Sequence, residues 1–372
     1  MKLNIAVLPG DGIGPEVTDQ AVKALKAIAI EFDHSFTFTY APVGAVAIDE
    51  TGDPLPKQTL DLCKTTDAIL FGAIGDPKYD NNPSATIRPE QGLLKLRKSL
   101  QLFANIRPVK AYSQLLEKSP LKEHIIKGTD ISIYRELTGG IYFGEKYLSD
   151  DKNTASDLCE YSRLEIERIS HLAFKAAQSR SFNVTLIDKA NVLESSRLWR
   201  KVVNDVAKEY QDVTLEFLFV DNAAMQMILN PKQFDVILTE NMFGDIISDE
   251  ASVIGGSIGL LASASVGDKY AMFEPIHGSY PQAKGKGIAN PIASILSAAM
   301  LLEHFNLQSE ADRIKNAVEK SLKLHITTPD INAKYDNVTT GKVGDFIEDF
   351  INNPEDSNLN FSNIYLGQST II

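Results

Sequence analysis

The sequence predicts an α/β protein in which a largely parallel sheet is flanked by helices. Short apolar runs of strand type alternate along the chain with amphipathic segments of helical period. Charged residues recur after such strands, at Lys189, Asp221 and Asp245, where open α/β sheets bind their ligands. With 372 residues, 44% of them hydrophobic, the chain is long enough for two domains or one large intertwined unit.

The composition narrows the function classes. The formal net charge is −12 and no block of lysines and arginines occurs, which disfavours nucleic acid as a partner. Cys63 and Cys159 are isolated, as expected of reduced thiols in the cytosol. The first apolar run stops at Pro9, and no run approaches membrane-spanning length. We therefore expect a soluble, cytoplasmic protein.

The first elements are a strand, a glycine-rich turn and a helix. Residues 5–8 and 17–31 have the strand and helix patterns, and Gly10-Asp-Gly-Ile-Gly14 joins them. This layout brings backbone N–H groups to a phosphate, but the glycine spacing is not that of a Rossmann loop. On these residues alone, a turn that approaches a ligand and a tight turn without one remain equally open.

Strands are predicted next at 36–40 and 68–71, with a helix near 57–63 between them. The loop from Gly72 through Asn81-Asn-Pro83 follows, and we expect it to be irregular and exposed.

A helix is predicted at residues 89–98. Glu90, Leu93, Leu94 and Arg97 follow i, i+3, i+4, i+7 spacing and share one face. An acid, two leucines and an arginine together suit a pocket for a branched alkyl group beside a carboxylate. An ordinary helix at the boundary of the core is the alternative.

Two further arginines lie in predicted strands, Arg107 at 103–109 and Arg135 at 130–136. A buried arginine needs an anionic partner, because an unpaired charge in the interior is costly. Internal carboxylates are the usual partners. Three arginines entering one region, with Arg97 as the third, would instead favour a substrate with more than one carboxylate.

The glycines around Tyr142 predict that this residue lies outside regular structure, with its hydroxyl in a cleft. Residues 156–161 suit a projecting arm or a partner-contact hairpin, and residues 164–180 are helical in pattern.

Asp245 and Asp249 stand four residues apart, in a helical pattern predicted to begin after a turn at Gly244. An acidic first turn that satisfies the helix dipole is one interpretation. A cation between the two carboxylates is the other. Lys189 and Asp221 at the ends of strands predicted at 184–191 and 213–220 favour the cation, with Asp221 placed before a helix at 225–229.

The remaining chain alternates in the same way. The small residues at 255–261 suit a return between domains, and a strand is predicted at 270–273. A loop rich in glycine, lysine and proline over 274–291 suits a nucleotide, and helices follow at 292–302, 310–324 and 343–350. The tail after Asn352 has no predicted structure.

Several motifs occur together and in this order: Gly10-Asp-Gly-Ile-Gly-Pro-Glu16, the helix at 90–97, Phe103-Ala-Asn-Ile-Arg-Pro108, Arg135-Glu-Leu-Thr-Gly-Gly-Ile-Tyr142-Phe-Gly-Glu145, Asp188-Lys-Ala-Asn-Val-Leu193, Asn241-Met-Phe-Gly-Asp-Ile-Ile-Ser-Asp249, His277-Gly-Ser279 and Ile288-Ala-Asn-Pro291. By these motifs the chain resembles the isopropylmalate dehydrogenases. That group belongs with the isocitrate, homoisocitrate and tartrate dehydrogenases among the metal-dependent β-decarboxylating dehydrogenases.

The resemblance implies an NAD-dependent enzyme of leucine biosynthesis that uses Mg2+ or Mn2+. It would convert (2R,3S)-3-isopropylmalate to 4-methyl-2-oxopentanoate and CO2, with Lys189 as general base and Tyr142 as proton donor. The implied substrate-binding residues are Glu90, Leu93, Leu94, Arg97, Arg107, Arg135 and Asp221. The implied metal ligands are Asp221, Asp245 and Asp249. The implied NAD-binding residues are Ile13, Gly75, Glu90, His277, Gly278, Ser279, Gln282, Gly287, Ile288, Ala289 and Asn290.

The implied fold is the two-domain isopropylmalate-dehydrogenase-like fold, with a mixed, largely parallel sheet flanked by helices, and not a Rossmann fold. One domain would combine residues 1–102 with 256–372, and the other would be residues 103–255. In this family a lysine and one metal aspartate come from the other subunit. Lys189 and Asp221 therefore imply a homodimer with these two residues contributed across its interface.

One residue departs from the family pattern. NAD-specific members usually have an aspartate where this chain has Gln282, and NADP-specific relatives have a basic residue there. Glutamine can hydrogen-bond the adenosine ribose but cannot repel a 2′-phosphate. We expect NAD to be preferred, with weaker discrimination than in the family at large.

Two alternatives remain. Isocitrate dehydrogenases use a serine and an asparagine toward a third carboxylate, where this chain has Leu93 and Leu94, and leucines cannot compensate a buried carboxylate. A non-catalytic homologue would be expected to lack the lysine, the tyrosine or an aspartate, and all are present.

Overall fold

The computed structural model describes residues 1–80, 86–332 and 338–354. Of the loop predicted from Gly72, the described part is not irregular and exposed as expected: Gly72 and Ala73 belong to a buried strand and Pro77–Asp80 form a helix. Asn81-Asn-Pro83 of that loop, and the tail after residue 354, lie outside the described residues. The strands are β1 (Lys2–Gly10), β2 (Ser35–Tyr40), β3 (Ala68–Ala73), β4 (Ala104–Lys110), β5 (Asp130–Glu136), β6 (Lys146–Leu148), β7 (Ala155–Asp157), β8 (Asn183–Asp188), β9 (Thr214–Phe219), β10 (Val236–Thr239), β11 (Ala262–Val266) and β12 (Ala271–Pro275). The helices are α1 (Gly14–Glu31), α2 (Ala45–Thr51), α3 (Lys57–Thr65), α4 (Pro77–Asp80), α5 (Pro89–Ser99), α6 (Glu123–Ile126), α7 (Arg163–Gln178), α8 (Glu194–Ala207), α9 (Val220–Leu229), α10 (Asn241–Ser252), α11 (Ile292–His304), α12 (Gln308–Lys323) and α13 (Thr340–Asn352).

The chain divides into two compact units. The first comprises residues 1–96, 258–264 and 271–372. Its strand order is β2-β1-β3-β12-β11, and β1 is parallel to both β2 and β3. Helix α1 packs against α11 and α13 in this unit. Its buried face, which includes Val17, Ala21, Leu25 and Ile28, has the spacing of an amphipathic helix.

The second unit comprises residues 97–257 and 265–270. Its strand order is β4-β5-β10-β8-β9, and every neighbouring pair is parallel except the antiparallel β4–β5 pair. The carboxyl ends of β5, β10, β8 and β9 therefore lie along one edge of the sheet. The predicted α/β class, with its mixed and largely parallel sheet, is confirmed.

The structure corrects the local predictions around the acidic pair. Gly244 is not a turn: it lies inside α10, which begins at Asn241. A Cβ on Gly244 would lie 2.6 Å from Arg135 Cγ, so glycine here admits a neighbouring side chain. Asp221 does not precede a helix at 225–229 but lies in the first turn of α9 (Val220–Leu229).

Other elements also differ from their predictions, and the short helices α2, α4 and α6 are not predicted at all. Strand β11 is not predicted by the sequence, because its Ala-Ser-Ala-Ser-Val residues have little of the apolar alternation by which strands are recognised. The hairpin predicted at 156–161 is an antiparallel pair of β6 and β7, and it begins ten residues earlier, at Lys146. Within the described residues, no helix has the length and apolar character needed to cross a membrane.

Candidate active site

The predicted catalytic and metal residues of the second unit follow strands at one edge of its sheet. Arg135 lies in β5 and is paired in register with Thr239 of β10. Asp245 follows β10, Lys189 follows β8 and Asp221 follows β9. Parallel pairing thus brings to one edge residues that are up to 110 positions apart in sequence.

Arg135 is buried and hydrogen-bonded to Asp245 and Asn241. Its Nη1 lies 2.5 Å from Asp245 Oδ1, and its Nε and Nη2 donate to Asn241. Burial, and then the charge of Arg107, lower the pKa of Arg135 to about 10, so the guanidinium stays charged at neutral pH. Internal groups of the protein are therefore the partners of this arginine. Its Nη1 is directed at Asp245, which is one of the predicted metal ligands.

Arg107 stands beside the same helix. Its Nη1 donates to Ser248 Oγ at 2.7 Å and to Asp249 Oδ1 at 3.2 Å. Its Nη2 lies 3.8 Å from Asp245 Oδ1. The two arginines and the two aspartates therefore form one connected charged cluster.

Tyr142 joins this cluster from a short 3-10 turn, Gly140–Tyr142, and so does not lie outside regular structure as predicted. Its hydroxyl donates to Asp245 Oδ2 at 3.1 Å, and the Arg135 guanidinium lies 5.8 Å from its ring centre. Partial burial, and then Asp245, raise the pKa of Tyr142, which keeps the phenol protonated. A protonated, half-exposed phenol is suited to donate a proton.

Lys189 and Asp221 form a second pair at the same edge. Lys189 Nζ lies 2.7 Å from Asp221 Oδ1, and the Asp221 side chain is 69% exposed. The preceding Asp188 is buried and accepts two hydrogen bonds from Arg200, both at 2.8 Å. The lysine is thus held beside an aspartate that faces solvent in the single chain.

The acidic pair fits a hard divalent cation in its chemistry but supplies only part of a site. Asp245 and Asp249 lie in the second and third turns of α10, so the alternative of an acidic first turn is wrong. Their carboxylate oxygens are the ligands that Mg2+ and Mn2+ prefer. Asp221 follows β9, which is the second strand from β10 in the sheet, and two strand spacings separate β9 from β10 by roughly 10 Å. Among the described residues, no three Asp, Glu, His or Cys side chains form a metal-binding group.

The first unit brings together several residues of the expected nucleotide site. The Ile13 N–H donates to Ser279 O at 2.8 Å. Gly75 has a φ of +119°, and a Cβ there would lie 3.1 Å from Glu90 Oε1 and 3.4 Å from Ser279 Oγ. Asp11 fixes Gly75 by accepting its N–H at 3.0 Å. These contacts bring Ile13, Gly75, Glu90 and Ser279, four of the residues expected to bind NAD, next to one another.

The loop over 278–290 is anchored to the rest of this unit. Ala289 O accepts from Thr340 Oγ1 at 2.6 Å, and Asn290 Nδ2 donates to Asp330 at 3.1 Å. Gln282 and Ile288 are exposed, and Gly278 borders open space. Burial lowers the pKa of His277, and its buried Nε2 has no hydrogen-bond partner within the described chain. An orphaned ring nitrogen in an anchored loop is consistent with a nucleotide ligand.

The helix predicted at residues 89–98 is confirmed as α5 (Pro89–Ser99). Its buried residues include Leu96, whereas Leu94 is 47% exposed and Leu93 is half-buried. Glu90 is exposed and Arg97 half-buried on the face they share with the two leucines. The leucines of this face are therefore available to an apolar group of a ligand.

A profile of the isocitrate/isopropylmalate dehydrogenase family matches residues 4–347 of the chain. The chain belongs to this family.

Among its relatives are two proteins named 3-isopropylmalate dehydrogenase. The protein from Bacteroides fragilis is 53% identical, over 94% of this chain and 99% of its own length. The protein from Priestia megaterium is 55% identical, over 89% of this chain and 91% of its own. In structure, the chain is similar to an isocitrate dehydrogenase from Methylococcus capsulatus, with a TM-score of 0.83 and 33% identity over 94% of this chain and 99% of that chain. It is also similar to a β-decarboxylating dehydrogenase from Thermococcus kodakarensis, with a TM-score of 0.79 and 36% identity over 95% and 98%.

Sequence reasoning missed one residue of this family member's site. Asn241 is fully buried, and its Oδ1 accepts from Arg135 while its Nδ2 donates to Gly139 O at 3.0 Å. Its backbone N–H donates to Tyr161 at 3.0 Å. Asn241 therefore ties Arg135 to the turn that carries Tyr142. In the sequence, Asn241 is marked only as the first residue of the motif that runs from Asn241 to Asp249.

Proposed function

We propose that the chain catalyses the metal-dependent oxidative decarboxylation of (2R,3S)-3-isopropylmalate with NAD+ as hydride acceptor, as in leucine biosynthesis. Two observations support the reaction class: the chain belongs to the isocitrate/isopropylmalate dehydrogenase family, and it is 53% and 55% identical to two relatives that are named 3-isopropylmalate dehydrogenase. The observation that carries the proposal is the cluster of Arg107, Arg135, Tyr142, Asp245 and Asp249, which combines anion-binding, proton-donating and metal-ligating groups.

The arginines account for recognition of a dicarboxylate. Arg107 and Arg135 present guanidinium groups whose planar forks match carboxylates, and Arg97 would add a third from α5. Aspartate partners hold Arg107 and Arg135 in place. They would keep the arginine side chains oriented when the substrate binds.

Specificity for the alkyl group would rest on Leu93 and Leu94. A half-buried and an exposed leucine on one helix face offer an isopropyl group an apolar surface. The third carboxylate of isocitrate would contact only apolar side chains there, and burying a carboxylate without a partner costs several kcal/mol. A methylene-sized difference in such a pocket is worth about 1–3 kcal/mol.

Proton transfers are assigned to Lys189 and Tyr142. Lys189 would accept the proton of the C2 hydroxyl, through a water, as the hydride leaves C2 for NAD+. After CO2 is lost, Tyr142 would donate its proton to the enol carbon, and its hydrogen bond to Asp245 supports its placement near the substrate. Asp221, Asp245 and Asp249 would hold Mg2+ or Mn2+. The cation, when bound, supplies Lewis-acid stabilisation of negative charge on the substrate oxygen.

We also propose a homodimer in which Lys189 and Asp221 act in the site of the partner subunit. The separation of Asp221 from Asp245 within one chain supports this arrangement. Exposed apolar side chains on α9 and α10, such as Ile228, Leu229 and Ile246, support a subunit interface. Sedimentation of the wild-type protein as a monomer at assay concentration would contradict the dimer. Residence in the cytoplasm belongs to this proposal as well.

The decisive assay follows NADH formation with isopropylmalate, isocitrate, malate and tartrate in the presence of Mg2+ or Mn2+. We expect kcat/KM to be highest for isopropylmalate. A higher value for isocitrate would show that the leucine face does not select the substrate.

A further inference from the structure

The nucleotide-side loop contains a short basic segment, Lys284-Gly-Lys-Gly287. Gly285 and Gly287 both have positive φ, +74° and +61°, and Lys284 and Lys286 are exposed. Backbone N–H groups in such glycine turns attract anions, and lysines add to the attraction. The exposed lysines and glycine N–H groups of this segment have the charge and the donors that suit a phosphate group.

Glu16 of α1 already engages these N–H groups. Its Oε1 accepts from the Gly285 N–H, and its Oε2 accepts from the Gly287 N–H at 3.1 Å. From the other side, Gly287 O accepts from the Thr340 N–H at 2.8 Å. The carboxylate therefore fixes the loop and also places a negative charge where a bound anion would sit.

We propose that Glu16 is a positioning and specificity-determining residue: it orders this loop for the adenosine half of NAD and excludes a 2′-phosphate. The proposal rests on the proposed NAD-dependent function. A 2′-phosphate would compete with the Glu16 carboxylate for the same N–H groups and be repelled by its charge, whereas a 2′-hydroxyl would not. Gln282 carries no charge, so in this chain the negative charge beside the loop comes from Glu16, without the second charge that an aspartate at 282 would add.

Glu16→Gln tests the proposal, because it removes the charge and lets only one of the two N–H groups keep an acceptor. We expect the ratio of kcat/KM for NADP to that for NAD to rise about five- to tenfold. The KM for NAD should rise several-fold, and kcat and the KM for isopropylmalate should stay within about twofold. Glu31→Gln, at the opposite end of the same helix, is the matched control and should change none of these values.

Equilibrium binding gives a readout that does not depend on turnover. Calorimetry with 2′,5′-ADP and with 5′-AMP should show that Glu16→Gln strengthens 2′,5′-ADP relative to 5′-AMP. An unchanged preference between these two ligands would overturn the proposal. So would a uniform loss of affinity for cofactor and isopropylmalate, which would indicate a purely structural role.

Glu16→Asp separates charge from reach if the glutamine variant does not fold. It keeps the charge on a shorter side chain, so the KM for NAD should rise while discrimination against NADP is retained. Discrimination lost in Glu16→Asp would contradict a role for the charge. If the wild type oxidises isopropylmalate with neither cofactor, the proposed function fails, and the calorimetric comparison still decides the role of Glu16.

Discussion

Replacing Gly244 with alanine tests whether Arg135 keeps its position because helix α10 lacks a side chain there. A Cβ on Gly244 would lie 2.6 Å from Arg135 Cγ and 2.8 Å from Thr239 Cγ2. Arg135 is held by Asp245 and Asn241, so it cannot move aside without losing hydrogen bonds. The substitution should therefore affect both stability and binding of the substrate carboxylate.

Two contributions to the free energy of unfolding oppose each other in this variant. Alanine is more favourable than glycine within a helix by about 0.8–1 kcal/mol. Overpacking costs about 1–3 kcal/mol, and each lost hydrogen bond of a charged group costs about 1.5–3 kcal/mol. We expect the unfavourable contributions to prevail and the free energy of unfolding to fall by about 2–4 kcal/mol.

Thermal unfolding and steady-state kinetics together check this prediction. Gly244→Ala should lower Tm by several degrees and raise the KM for isopropylmalate about tenfold or more, with the KM for NAD unchanged. Gly341→Ala is the control, because a Cβ there meets nothing nearer than Thr339 Oγ1 at 4.0 Å. That variant should be slightly more stable than the wild type. A Gly244→Ala protein with wild-type Tm and KM would refute the packing argument.

Two further predictions concern charged groups. Asp249→Asn should abolish activity at all concentrations of Mg2+ or Mn2+, because the cation loses a carboxylate ligand. Near-normal turnover of this variant in a metal titration would show that Asp249 is not a metal ligand. Burial, and then the charge of Asp188, raise the pKa of Glu240 to about 7 from an ordinary value of 4.5. The contribution of this group to the free energy of unfolding is therefore most favourable below about pH 4.5. That contribution is lost as the pH rises through about 7. Glu240→Gln should therefore reduce the decline of the free energy of unfolding between about pH 5 and 8 by about 1–3 kcal/mol. Parallel profiles of the free energy of unfolding against pH for the variant and the wild type would contradict the argument.

Local patterns in the sequence were sufficient for the elements that depend on neighbouring residues. The period of α1, the helix at α5 and the charged residues after strands could all be predicted, because burial on one face leaves a repeat in the chain. The fold class followed from the alternation of these elements. The family followed from the order of the motifs.

The sequence failed where a distant residue decided the local structure. Gly244 suggested a turn because glycine is a poor helix former, yet it lies within α10 to make room for Arg135. Strand β11 is not predicted because its alanines and serines form a strand only through their pairing in the sheet.

By itself, the sequence determined the α/β class, the family and the residue types available for the chemistry. Tertiary structure alone decided how these residues are grouped: Arg107 and Arg135 with Asp245 and Asp249, and Lys189 with Asp221. It also joined Glu16 to a loop about 270 residues away. The physical reason is that parallel strands and packed helices bring together residues far apart in the chain, and local periodicity carries no record of those contacts.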